Sequence, residues 1–252
     1  MNLFDLSGKS ALVVGGAGDI GFAIAEGLAE AGATVIVLDI DPRVHELATS
    51  MKDKKLSAHA LEANVQNRDE IKKSITAAEN IFQGSINILV NSAGIQRRNS
   101  SEFFLEKDWD DVLEINLTAT FLYSQQVAQK MLQNSYGKII NISSIMGNFG
   151  GITIPAYAAS KGGVTQLTKA LSNDWAKKGI CVNAIAPGYI NTRLNTKLIS
   201  DPNRSAEVLL RTPLNRWGTP QDLKGAAIFL ASKASDFITG TVINVDGGYS
   251  AR

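Results

Sequence analysis

Short apolar runs alternate with amphipathic ones along almost the whole chain. Residues 9–15, 33–39, 56–63, 86–90, 138–144, 180–186 and 241–245 are apolar stretches of strand length, mostly aliphatic and β-branched. Helical runs occupy residues 22–30, 68–82, 108–133, about 155–178 and 221–231. Strands that alternate with helices and are apolar on both faces predict an α/β fold, a single domain built on a doubly wound parallel sheet of about seven strands with helices on both faces. Ligands of such sheets bind beyond the carboxyl ends of the strands, where Gly15, Asp39, Asn91 and Ser144 fall. Residues 191–213 read as polar and irregular, which predicts a substrate lid over about residues 188–215. No repeat or low-complexity segment is present.

Composition narrows the function classes. The chain has 252 residues and a formal net charge of +1, so it can bury a large core and offers no electrostatic case for nucleic acid or membrane surfaces. No basic stretch runs into an apolar one at the N-terminus and no window approaches ~18 uninterrupted apolar residues, so a cytoplasmic protein is expected. Cys181, the single cysteine, reads as a small buried thiol in a strand. His45 and His59 stand far apart without clustered acids or thiols, and no metal site is expected.

Three features carry chemistry. The first strand runs directly into the turn Gly15-Gly16-Ala17-Gly18-Asp19-Ile20-Gly21 and then a helix, the context of a dinucleotide-binding turn in a Rossmann-type sheet. There the backbone can approach a diphosphate and the helix N-terminus offers free N–H groups. Asp39 ends the next strand about 20 residues on, where a carboxylate accepts the ribose hydroxyls of NAD and repels the extra phosphate of NADP. Ile40 follows it and no cation lies in the glycine turn, so NAD is expected, with a turn-capping role before Pro42 as the alternative. Lastly, Tyr157 and Lys161 stand four apart behind Pro155, on one face of a helix. A cation ~4 Å from a phenol stabilises phenolate by ~4 kcal/mol at an effective dielectric of ~20, enough to make tyrosine a usable acid and base. The plain alternative is a solvated helix face. Ser144, delivered by the strand before it, adds a hydroxyl, and the three together suit the interconversion of a carbonyl and an alcohol.

These residues resemble the short-chain dehydrogenase/reductase family over essentially the whole chain. The resemblance implies that Ser144, Tyr157 and Lys161 are catalytic and that Asn116, in Glu114-Ile115-Asn116-Leu117, joins them by positioning a water next to Lys161; helix packing is the alternative for Asn116. It implies a cofactor groove made by Gly15, Gly18, Asp19, Ile20 and Gly21, then Asp39 and Ile40, Asn64 and Val65, and Asn91, Ala93 and Gly94. Tyr157 and Lys161 complete it with Pro187, Gly188, Ile190 and Thr192. Four positions depart from the family pattern: Val14 replaces a threonine, Asp19 the middle glycine of the turn, Asn64 an aspartate and Ser92 an asparagine. Residues 94–98, 186–190, 216–218 and 245–252 are similar to sugar-acid dehydrogenases acting on 2-deoxy-D-gluconate, keto-deoxy-uronates or gluconate, with polyol dehydrogenases sharing much of the pattern. A nucleotide-binding sensor without turnover is the alternative of a different class. Arg97 and Arg98 are candidates to hold a substrate carboxylate, or else a solvated pair. Gln96, Ser144, Tyr157 and Tyr189 join them around the substrate, with Trp217 a further candidate. A homotetramer packed through the helices near 108–133 and 155–178 is also implied.

Overall fold

Seven strands pair in parallel in the order β3-β2-β1-β4-β5-β6-β7 in the computed structural model, which describes residues 2–252. They are β1 Ser10–Val14, β2 Thr34–Asp39, β3 Ala58–Glu62, β4 Ile88–Asn91, β5 Gly137–Ile142, β6 Ile180–Pro187 and β7 Val242–Val245. All seven predicted strands are present, shifted by one or two residues at their ends. Alternate residues of each strand serve opposite faces. Ala11 and Val13 pack in a core with α1 (Asp19–Glu30), α2 (Val44–Asp53) and α9 (Lys224–Ala231), whereas Leu12 and Val14 pack with α3 (Arg68–Phe82), α5 (Ala119–Gln133) and α6 (Pro155–Trp175). That two-sided burial is why the strands are apolar without alternation.

The chain returns past β1 between β3 and β4, so β1 pairs with β2 on one side and β4 on the other. The crevice opened by that reversal lies at the glycine-rich turn.

Three elements differ from expectation. Helix α2 is absent from the sequence expectation, although Val44, Ala48 and Met51 bury one face at helical spacing; it is only ten residues long and no side chain caps it. Helix α1 begins at Asp19 rather than Phe22, since an acidic residue in the first turn suits the helix dipole. The expected irregular segment 191–213 contains α7 (Thr196–Ile199) and α8 (Pro202–Arg211). Asp201 caps α8 by accepting from the N–H groups of Asn203 and Arg204, with Pro202 at the first helical position. Cys181, expected buried, is half-buried with its thiol 3.7 Å from the Asp236 carbonyl. Among the described residues no helix is long and apolar enough to cross a membrane, and no group of three or more metal-ligating side chains gathers.

Candidate active site

The groove beyond the strand ends is shaped first by two glycines. Gly15 has φ +81°, and a Cβ there would collide with the backbone of Ala93; a Cβ on Gly21 would strike the Gly15 carbonyl. The N–H groups of Gly15 and Gly16 both donate to the Leu38 carbonyl (2.8 and 2.9 Å), fastening the turn to β2. Asp39 accepts from the Ala17 N–H (3.1 Å), which sets its carboxylate against the glycine turn, and from the Asp41 N–H (3.2 Å), the contact that the turn-capping alternative calls for. Ile40, Asn64, Val65, Ala93 and Gly94 line the same end of the groove as Gly15, Gly18 and Asp39. Its other end is lined by Asp19, Ile20, Gly21, Ser144, Tyr157, Lys161, Pro187, Gly188, Ile190 and Thr192. Asn91 is a correction. Its side chain, at the last residue of β4, is buried beneath the groove and donates to Ser124 (3.0 Å) and Asn141 (2.9 Å), whereas Ser92 and Ala93, past the strand end, line the cleft.

Helix α6 presents Tyr157 and Lys161 on one face, and β5 ends just before Ser144. Ser143 locks the two elements together by donating to the Lys161 carbonyl (3.1 Å) and bonding the Thr165 hydroxyl (2.9 Å). Ser144 Oγ accepts from the Met146 N–H (3.1 Å), which fixes its rotamer. Lys161 Nζ is buried and lies 5.7 Å from the Tyr157 ring centroid. It donates to the Ile142 carbonyl (2.7 Å), and burial pulls its pKa down to about 8. The expectation that the Lys161 ammonium lowers the phenol pKa needs correcting. Burial raises the Tyr157 pKa, and the groups opposing that rise are the Ser144 hydroxyl and the Arg98 charge; the Lys161 ammonium is committed to a carbonyl at the strand end rather than to the phenol oxygen.

Asn116 lies in a wide helical turn, Glu114–Thr118, between α4 (Glu106–Leu113) and α5. Its side chain accepts from the Ile95 N–H (2.8 Å) and donates to the Ile95 carbonyl (3.0 Å) and Ser160 (3.0 Å). Asn116 therefore clamps the Gly94–Ile95 backbone to α6.

A second cavity opens from the first through Ser144, Tyr157 and Gly188. It takes in Gln96, Arg98, Tyr189, Arg204, Arg211 and Tyr249, and no aspartate or glutamate lines it. Among the described residues Arg98 has no carboxylate partner within 4 Å, whereas Arg204 lies 3.7 Å from Glu207 and Arg211 Nη2 donates to the main-chain oxygen of Arg252 at 3.5 Å. Burial, followed by the neighbouring Arg204 charge, holds Arg98 below the usual arginine range. Arg211 stacks over the Tyr249 and Phe149 rings at 4.3 and 5.1 Å. Arg97 does not line the cavity: it turns outward to Asp108 at 3.5 Å, since adjacent residues of an extended loop face opposite ways. Trp217 stands behind Tyr189 at 5.7 Å edge-on and donates to Ser205 of α8 (2.9 Å), bracing the wall rather than lining it. Sequence reading missed Arg204 and Arg211. Their spacing of seven places both on one face of a helix, a signal that goes unread while the segment is taken as irregular.

Residues 15–250 match the family described as enoyl-(acyl carrier protein) reductase. The 2-dehydro-3-deoxy-D-gluconate 5-dehydrogenase of Dickeya dadantii (strain 3937) is 44% identical over 255 residues, covering 100% of this chain and 99% of the relative. The chain belongs to the short-chain dehydrogenase/reductase family. The 5-keto-D-gluconate 5-reductase of Escherichia coli (strain K12) is likewise 44% identical, over 98% of this chain and 97% of that one. A crystal structure of gluconate 5-dehydrogenase from Burkholderia cenocepacia J2315, in complex with NADP and tartrate, superposes with a TM-score of 0.95 at 41% identity, over 99% of this chain and 98% of that one. The short-chain dehydrogenase/reductase family uses a nicotinamide dinucleotide, and the groove fits one. The glycine turn leaves backbone open at the N-terminus of α1, and Asp39 lies at one end of the groove with Tyr157 and Lys161 at the other.

Proposed function

We propose that this protein is an NAD-dependent dehydrogenase that interconverts a secondary alcohol and a ketone on a sugar acid of the 2-deoxygluconate, keto-deoxy-uronate or gluconate type. The observation that carries this reading is a cavity with three arginines and no acid, opening onto Ser144 and Tyr157. Such a lining favours an anion over a neutral polyol, and the sugar-acid names of the relatives agree.

The nicotinamide, when bound, gives or takes the hydride. Tyr157 holds the proton that leaves the hydroxyl in oxidation and returns in reduction. Ser144 donates to the oxygen on which charge develops. The Ser144 hydroxyl and the Arg98 charge reduce the cost of the phenolate form. Arg98 is the first candidate for the substrate carboxylate, Arg204 and Arg211 its companions, and Gln96 and Tyr189 shape the floor. Helices α7 and α8 act as the lid. NAD is preferred over NADP because Asp39 occupies the ribose end and Ile40 brings no cation; the nearby Arg43 is held by Asp41 through bonds of 2.6 and 2.8 Å. The chain works in the cytoplasm as a homotetramer, in keeping with the exposed apolar side chains Phe103, Leu105 and Trp109 beside α4.

Incubation with NAD and matched sets of sugar acids and polyols, following absorbance of the reduced cofactor, tests the reading. Sugar acids should exceed their polyols in kcat/KM by about tenfold or more. Arg98→Ala should remove that margin by raising KM for the acid and not for the polyol, on top of a fall in kcat common to both from the loss of its charge near Tyr157, and Arg97→Ala should leave the margin in place. Equal use of acids and polyols would sink the sugar-acid reading, and faster turnover with NADP than with NAD at equal concentration would reject the cofactor choice.

A further inference from the structure

Asp19 stands where the family pattern has glycine, at the first residue of α1, and its partner comes from the far side of the groove. Arg193 follows β6 and opens the short turn Arg193–Asn195. Its backbone N–H donates to Asp19 Oδ2 (2.7 Å) and its Nε to Asp19 Oδ1 (2.9 Å), so one residue occupies both carboxylate oxygens. Its Nη2 reaches further, to the Ala17 carbonyl in the glycine-rich turn (2.7 Å). Both residues line the groove that also takes in Gly18, Tyr157 and Lys161. Three bonds thus join segments 174 to 176 residues apart across the mouth of one cleft.

The chemistry of that position makes the pairing consequential. The N-terminus of α1 offers free N–H groups and a partial positive charge, which favour an anion. A carboxylate fixed there adds one negative charge where a dinucleotide brings its diphosphate. Glycine carries no such penalty. We propose that Arg193 and Asp19 form a clasp over the cofactor groove, in which Arg193 cancels the repulsion between Asp19 and the diphosphate and ties the lid segment to the glycine-rich turn. The clasp rests on the dinucleotide reading of the groove. Arg193 is a positioning residue, acting through Asp19 rather than on the reacting atoms.

The two roles predict a pattern that a merely structural ion pair does not produce. Titration of NADH into the purified protein, followed by nucleotide fluorescence, compares the parent with Arg193→Ala, Arg193→Lys, Asp19→Gly and the double variant. Arg193→Ala should weaken binding by about tenfold at low salt, with the loss shrinking as salt rises. Arg193→Lys, which keeps the charge, should stay within about threefold of the parent, and the double variant should recover most of what Arg193→Ala loses. Hydrogen exchange without nucleotide gives an independent readout: residues 193–211 should exchange faster in both single alanine and glycine variants. The clasp is overturned if Arg193→Ala binds NADH as the parent does, or if the double variant binds as weakly as Arg193→Ala. Failure of the parent to bind any nicotinamide dinucleotide would instead overturn the reading of the groove, and the charge role with it.

Discussion

At the scale of single residues, the site depends on burial working against charge. Tyr157 is raised above its ordinary pKa by burial, so at neutral pH it holds its proton and is ready to donate it to a ketone. Tyr157→Phe should lower kcat on the order of 10³-fold while leaving the nucleotide affinity of the chain unchanged; turnover retained within tenfold would remove Tyr157 from its role. Lys161 presents the reverse case, a cation whose pKa falls from 10.5 to about 8 on burial. Below pH 8 the folded chain carries that charge at full cost. Between pH 8 and 10.5 the folded form is neutral while the unfolded form still binds the proton, so stability rises with pH across that window through this group. A shift of that size corresponds to roughly 3 kcal/mol. Lys161→Met should therefore gain stability over the parent at pH 7, measured by urea unfolding, and the gain should shrink towards pH 10.5. A difference independent of pH would mean that the ammonium is not the buried cost.

Among the elements, α8 couples a local sequence signal to the substrate cavity. Its ten residues run between two exposed loops, with Val208 the one buried side chain, so the Asp201 cap holds a larger share of its stability than a cap does in a core helix. Loss of such a cap costs about 1 kcal/mol. Asp201→Ala should fray the first turn, where Arg204 sits, and raise KM for a sugar acid several-fold while hydrogen exchange in residues 202–211 accelerates. The global melting temperature should move by no more than about 2–4 °C. Unchanged exchange in α8 would show that packing of Val208 and Trp217, not the cap, holds it. The wide turn Glu114–Thr118 is the second element with a task, since the extra residue swings Asn116 round to grip Ile95.

Across the whole molecule, the parallel sheet gathers at one edge groups that are far apart in sequence: Gly15, Asp39, Ser92, Ser144 and Gly188 each follow or end a strand and meet because all strands point the same way. Assembly belongs to this scale. Phe103, Leu105 and Trp109 are exposed in the single chain, and burying them between copies would remove apolar surface from water. Light scattering after gel filtration should give a four-chain mass for the parent and a smaller one after Leu105→Asp and Trp109→Asp together. A monomeric parent would end the tetramer proposal.

The seven strands, the glycine-rich turn, Asp39 and the Ser144, Tyr157 and Lys161 set were all legible from residue order, because short apolar runs, helix spacing and turn chemistry are local properties that neighbouring residues decide. Helices α2 and α8 were less legible: one is ten residues long with no side-chain cap, unlike the fifteen-residue α3 capped by Asn67, and the other buries a single residue, so neither gives a long or well-bounded apolar stripe. Packing alone decided that Arg98 enters the cavity while Arg97 leaves it, that Asn91 turns beneath the groove, and that Lys161 spends its ammonium on Ile142. It also brought Arg193 to Asp19, a pairing that no periodicity encodes, since the two charges meet only once the sheet has carried its distant strand ends to the same edge.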